Sequence, residues 1–113
     1  MEKPDISWSF HDTVVYIIKK IPRGKVMTYG KIAAVAGNNR GSRQVARILH
    51  SSSRKHKLPW HRVINSAGKI SLPDPEAKQH QQDLLEADGI QLNPSGSISL
   101  KKYLWEVEEV EEI

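Results

Sequence analysis

VMTYGKIAAVAGNNRGSRQVARILH, residues 26–50, decides the fold. Val26 to Ala36 reads as a helix, with Thr28 as its N-cap and Gly37 as its stop. Ile32, Ala33, Val35 and Ala36 make its buried side. Gly37-Asn38-Asn39 is a turn. Ser42 caps a following helix, Arg43 to about His50, whose Val45, Ile48 and Leu49 face inward. Two short helices across a Gly/Asn turn give a helix-turn-helix pattern; a plain helical hairpin is the bland alternative. The second helix presents Arg43, Gln44 and Arg47 among the small residues Gly41, Ser42 and Ala46. Small residues permit close approach to a narrow groove.

Upstream, Phe10 to Lys20 has Val14, Val15, Ile17, Ile18 and Ile21 on one stripe. Ser9 and Asp12 form a capping-box pattern, and Pro22 and Gly24 end the helix. Downstream, Ser51 to Leu58 reads as a cationic loop leading into Pro59-Trp60-His61-Arg62-Val63. Trp60 there is either a buried anchor or the wall of a site. Arg62 to Asn65 reads as a strand. With a turn at Ser66-Ala67-Gly68 and a return through Ile70-Ser71-Leu72 it predicts a small hairpin. Pro73-Asp74-Pro75 forces an extended break, and Glu76 to Asp88 is helical, with Leu84, Leu85 and Ala87 inward and Gly89 as stop. Apolar alternation from Ile90 runs through Leu92, Ile98 and Leu100 to Tyr103, Leu104 and Trp105, which pack back on the body. The expected fold is mainly α with a small β-hairpin, a winged-helix-like helix-turn-helix domain. Residues 1–113 form one domain, with an acidic tail from about 106 to 113.

Charge is distributed unevenly. No Asp or Glu occurs between Asp12 and Asp74, an interval holding 13 Lys and Arg residues. Such a block is the footprint of a polyanion-binding face. The glutamates at 106, 108, 109, 111 and 112 read as a frayed end that could also shield that face. Cysteine is absent, which excludes disulfides, thiolate metal sites and thiol nucleophiles. The five histidines show no tight ligand spacing, so neither metal nor cofactor is expected. No apolar run reaches membrane-spanning length, and Met1 to Asp5 lacks a signal-peptide core. The expectation is a monomer without membrane contact, cytoplasmic and nucleoid-associated, or nuclear in a eukaryote.

Four motifs in combination carry a family resemblance: Ile21-Pro22-Arg23-Gly24-Lys25-Val26, Thr28-Tyr29-Gly30-Lys31-Ile32-Ala33, Ser42-Arg43-Gln44-Val45 and Pro59-Trp60-His61-Arg62-Val63-Ile64. From about Phe10 to Gly89 the chain resembles the C-terminal, DNA-binding domain of the O6-alkylguanine-DNA alkyltransferases. In those enzymes a cysteine between the proline and the histidine takes the alkyl group. Trp60 stands there in this chain, as in the alkyltransferase-like proteins, which bind the lesion without repairing it. Alkyl transfer needs a thiolate, and indole is no substitute. The chemistry of the residues therefore excludes the enzymes' reaction independently of the resemblance.

The resemblance implies roles position by position. Tyr29 sits by the phosphate next to the lesion and helps rotate the nucleotide. Arg43 inserts through the minor groove and fills the gap in the stack. Ser42, Gln44, Arg47 and Ser52 complete the DNA-binding set, and Trp60, Tyr29, Ser71 and Leu72 the lesion pocket. His61 and Asp88 are a relic of the thiol-activating pair, and Arg62 ties its loop to neighbouring backbone. Two departures stand out: Ser71-Leu72-Pro73-Asp74-Pro75 replaces a Gly-rich base-reading loop, and Ser52 stands where Asn is frequent. The implied function is a non-enzymatic sensor of O6-alkylguanine in duplex DNA that passes the lesion to nucleotide excision repair proteins of the UvrA type. The competing readings are a sequence-specific helix-turn-helix regulator, which would need several base-edge readers on its helix, and hydrolysis of the adduct by His61 with Asp88.

Overall fold

Ser9 begins the first helix, α1 (Phe10–Lys20), by accepting a hydrogen bond from the Asp12 amide at 3.0 Å. Such a cap contributes about 1 kcal/mol. Lys19 and Lys20 lie at the negative end of the helix dipole. The computed structural model describes residues 8–107; Met1 to Asp5 and most of the acidic tail lie outside them. Val14, Ile17 and Ile18 are fully buried, as the stripe predicts.

The second helix is shorter than its apolar pattern suggests. Thr28 is indeed the N-cap, bonding the Lys31 amide at 3.0 Å, so α2 spans Tyr29–Val35. Met27–Thr28 instead form β1, and Val26 makes an isolated bridge to Leu104. The partner of β1 is β2 (Val63–Ile64), parallel, with Met27 opposite Val63 and Thr28 opposite Ile64. Met27 and Val63 pack into a cluster with Val14, Ile17, Ile32, Val45 and Leu49. Val26 and Ile64 join a second cluster with Ile70, Leu85, Ile90, Ile98 and Tyr103. The two-stranded sheet is thus a partition covered on both faces, as successive residues point to opposite sides.

The mainly helical architecture with a small sheet matches the sequence reading, but the predicted hairpin does not form. Its turn does: Asn65 Oδ1 accepts from the Ala67 and Lys69 amides, both at 2.9 Å. Ile70 to Leu72 then leave the sheet. At Gly68 the chain meets the segment that follows α4: the Ile98 amide donates to the Gly68 carbonyl at 2.7 Å, and a Cβ on Gly68 would lie 2.5 Å from the Ile98 oxygen.

Helix α3 (Ser42–His56) departs from expectation at both ends. Its N-cap is Gly41, without a side-chain bond, and Ser42 is its first residue. Gly41 is buried against Phe10, where a Cβ would lie 2.9 Å from the ring. At the other end Ser51 to His56 are helical rather than loop. The serines cost the helix little, since Ser52 is buried against α1 and Ser51 Oγ donates back to the Ile48 carbonyl at 3.3 Å. The helix stops at Lys57, which adopts φ 53°, the left-handed region, while the buried Leu58 returns its amide to the Ser53 carbonyl at 2.9 Å.

A single 3-10 turn, Trp60–Arg62, precedes β2. Asp74 N-caps α4 (Pro75–Ala87), with proline in the first turn where its missing amide is no loss. Leu85 and Gln81 are buried on this helix, whereas Ala87 is exposed, contrary to its predicted place. Ser99 caps α5 (Leu100–Tyr103) in a segment read as extended alternation. Tyr103 and Trp105 do pack back, against the second and first cluster respectively.

Candidate nucleic-acid interface

The helix pair α2 and α3 carries the basic surface. Arg43, Gln44, Arg47, His50 and Arg54 are exposed, and positions 43, 47, 50 and 54 follow one face of α3. The opposite face buries Val45, Leu49 and Ser52. Ser52 is 5% exposed, and its hydroxyl lies 3.2 Å from His11 Nε2. It therefore joins α3 to α1 and lies on the buried face of the helix, away from the exposed Arg43 and Arg47 with which the resemblance grouped it as a DNA contact. Gln44 accepts a bond from Asn38 at 3.3 Å, which holds it against the turn between the helices.

Where α2 begins, beside the middle of α3, lies a cavity of about 150 Å³. Tyr29, Leu49, His50, Ser53, Trp60, Leu72 and Gln81 line it. Trp60 resolves its own ambiguity by being both anchor and wall: it is half-buried on the first core cluster and borders the cavity. The His80 ring leans on it, with centroids 5.7 Å apart at 41°. A more polar hollow of about 420 Å³ shares Trp60 and Ser53 and adds Arg54, Lys57 and Leu58. Cations thus stand directly beside an aromatic wall.

Asp88, just past α4, organises the loop that carries Trp60. Its Oδ2 lies 3.0 Å from His61 Nε2 and 2.7 Å from Arg62 Nε, and its Oδ1 accepts from Arg62 Nη2 at 3.2 Å. Arg62 Nη1 reaches the Ile21 carbonyl at 2.9 Å, tying the end of α1 into the same knot. Burial opposes charge on Asp88, but the bonds from Arg62 and His61 outweigh it and hold the carboxyl below its ordinary range. His61 moves the other way from an ordinary ion-pair partner. Burial is the dominant influence and lowers its pKa despite the pull of Asp88. A neutral imidazole facing an ionised carboxylate must carry its proton on Nε2 and donate it. The positive charge opposite Asp88 is therefore chiefly that of Arg62, with the exposed Arg23 guanidinium 3.9 Å from Oδ1 beside it.

Of the pocket residues expected from sequence, Trp60, Tyr29 and Leu72 converge on the cavity, whereas Ser71 is exposed and does not line it. Ser71 falls outside because the chain there has left the sheet. Leu49, His50, Ser53 and Gln81 were not foreseen. The first three lie along the edge of α3 where its buried face meets its exposed one, an edge visible once the helix continues to His56. Gln81 sits in the stripe 81-84-85-88 of α4, and a polar residue on a buried stripe signals a partnered group. No carboxylate lines the cavity, and His61, bonded to Asp88, does not line it either. The arrangement offers stacking surface and hydrogen bonds. Among the described residues no helix is long and apolar enough to cross a membrane.

Comparison with known proteins places this geometry. Residues 9–90 match the family described as 6-O-methylguanine DNA methyltransferase, DNA binding domain. The chain is 44% identical over 105 residues to a DNA base-flipping protein of Escherichia coli K12, covering 93% of this chain and 78% of that one. It is 38% identical over 101 residues to alkyltransferase-like protein 1 of Schizosaccharomyces pombe, covering 85% and 94%. The crystal structure of S. pombe Atl1 in complex with damaged DNA containing O6-carboxymethylguanine superposes with a TM-score of 0.75 at 37% identity, over 86% of this chain and 94% of that one.

Proposed function

The chain belongs to the family of the 6-O-methylguanine DNA methyltransferase DNA-binding domain, and from that membership we propose that it binds O6-alkylguanine in duplex DNA, turns the nucleotide into the Trp60 cavity and leaves the alkyl group in place. The observation that carries this reading is Trp60 itself. It walls the cavity at the position of the family's acceptor cysteine, in a chain without any cysteine. The similarity to a base-flipping protein and to a protein bound to damaged DNA supports it.

The energetics are consistent. Extruding a base costs a few kcal/mol, less at a weakened pair. Stacking on an aromatic wall returns roughly 1–3 kcal/mol per base. A cavity near 150 Å³ has room for an aromatic ring. Arg43, exposed in the first turn of α3, is the side chain to fill the vacated stack, and Tyr29 stands where the extruded nucleotide enters. Arg47 and the cations beside Trp60 bind phosphates. The whole chain acts as one domain and a monomer, without catalysis, and hands the distorted duplex to nucleotide excision repair proteins.

The test compares affinity for duplexes that differ in one base, guanine or O6-methylguanine, with mass spectrometry of the recovered DNA. Tighter binding to the lesion with the methyl group retained is expected. Equal affinities, or selection of a defined undamaged sequence from random duplexes, would refute damage recognition in favour of a regulator. Restored guanine would refute the non-enzymatic reading.

A further inference from the structure

Helix α1 buries Val14, Ile17 and Ile18 in the first core cluster, yet its outward side is more than a solvated face. Position 8, just before the helix, and positions 11, 12, 15, 16 and 19 recur at helical spacing and border a groove of about 340 Å³. Trp8, Val15 and Tyr16 give it apolar walls. Trp8 is 38% exposed, the one large apolar side chain among the described residues to stand so open. It is held in place all the same. Its ring meets that of Tyr16 edge to face, with centroids 5.1 Å apart at 83°. An open but positioned tryptophan is the side chain most often found anchoring a protein interface.

The polar rim is cationic. Lys19 borders the groove, and Lys20 Nζ stands 5.6 Å from the centre of the Tyr16 ring. Asp12 is the one carboxylate lining the groove among the described residues. It is engaged at 3.5 Å with His11 Nδ1, at the positive end of the helix dipole. An occupant therefore meets apolar walls edged by unbalanced positive charge.

His56 closes the groove from α3. It continues the ridge 45-49-52, which packs inward, and so lies on the opposite side of α3 from Arg43, Arg47 and Arg54. A duplex on that arginine face leaves the groove open. A sugar-phosphate backbone has negative charge but no apolar group to set against Trp8, Val15 and Tyr16. An acidic polypeptide has both.

We infer that this groove is a docking surface for a partner protein, which enters as an acidic segment presenting an apolar side chain to Trp8 and Tyr16 while α3 holds DNA. Only the occupancy of α3 by a duplex is used, so the assignment stands apart from lesion recognition. It makes α1 a second recognition element, through which DNA and partner are held together.

The probe is a display library of short peptides carrying Leu or Phe among Asp and Glu, beside a matched library with Lys in place of the acids. Both are selected on the full chain saturated with duplex DNA, which occupies the competing basic face. Enrichment from the acidic library alone is expected. A selected peptide should lose roughly tenfold in affinity to Trp8→Ala and to Lys19→Glu. Both side chains are exposed, so the variants should fold. No enrichment overturns the inference. So does binding that survives both substitutions, or that vanishes whenever DNA is present, since the peptide would then sit on the DNA face. A dimer in sedimentation that Trp8→Ala dissociates would assign the groove to a second copy instead. Peptide binding that rises sharply when Glu108, Glu109, Glu111 and Glu112 are changed to Gln would assign it to the chain's own tail.

Discussion

Arg62 closes on Asp88 at two points, Nε to Oδ2 at 2.7 Å and Nη2 to Oδ1 at 3.2 Å, with side chains only 17% and 10% exposed. This pair, not the His61 contact, balances the charge of Asp88. Removing one partner of a buried ion pair strands the other. Asp88→Asn should therefore cost about 3 kcal/mol of stability, read as a shift in urea midpoint. A cycle with Arg62→Met should show coupling above about 1 kcal/mol. Additive losses would mean that the two side chains stabilise the loop separately.

Acid should weaken the fold in two windows. His61 is held below its ordinary 6.5 chiefly by burial. Between that value and the lower folded one, the unfolded chain binds more protons. Stability therefore rises with pH there and falls on acidification below about 6.5. Asp88 acts with the same sign at lower pH: its contribution is whole above its ordinary 3.8 and is lost as pH falls through the depressed folded value. Urea titrations across pH should show His61→Gln flattening the upper window. A slope unchanged by that substitution would place its origin elsewhere.

Arg43 and Ser52 separate surface from scaffold. Arg43→Ala should weaken lesion binding by about 1–3 kcal/mol and leave the melting temperature nearly unchanged, because Arg43 is exposed. Ser52→Ala should do the reverse. It loses the His11 contact at a cost of about 1 kcal/mol of stability, with little change in DNA affinity. Paired titrations and melts of both variants check this, and a DNA defect in Ser52→Ala would restore it to the interface.

Binding should fall steeply with salt, with a log–log slope near −0.9 per phosphate neutralised. Arg47→Gln, on the exposed face of α3, should make that slope shallower by about one and weaken lesion and undamaged DNA alike. Loss confined to the lesion duplex would instead place Arg47 at the damaged base.

Much of this was legible in the sequence where periodicity and capping chemistry agree. The bounds of α1 follow from Ser9 and Pro22, and the N-cap of α2 from Thr28. The errors have one physical origin, tertiary contact overriding local pattern. Three consecutive serines read as loop, yet Ser52 is buried and α3 continues past it. Val63-Ile64 read as half of a hairpin, yet two adjacent buried residues suit a strand covered on both faces, and the partner lies far upstream at Met27. Trp60 and Tyr29 were found in the cavity because motif resemblance locates residues without needing their surroundings. Gln81 was missed because its role depends on the His61 and Val63 carbonyls, which only the folded chain brings near.

The parallel pairing of Met27 with Val63, and the bridge from Val26 to Leu104, bear on how the molecule assembles. Helices α2 and α3 are sequence neighbours and can dock through short loops, the fast part of folding. The wall of the cavity has no such shortcut. Trp60 lies three residues before Val63, the partner of Met27, and the residue next to Met27 is bridged by position 104. Both closures span long stretches of chain and carry a correspondingly larger entropic cost. The basic surface is therefore the part able to form early, whereas the cavity is completed with the last long-range contacts. A half-folded chain would have a DNA-binding face before it had the means to discriminate.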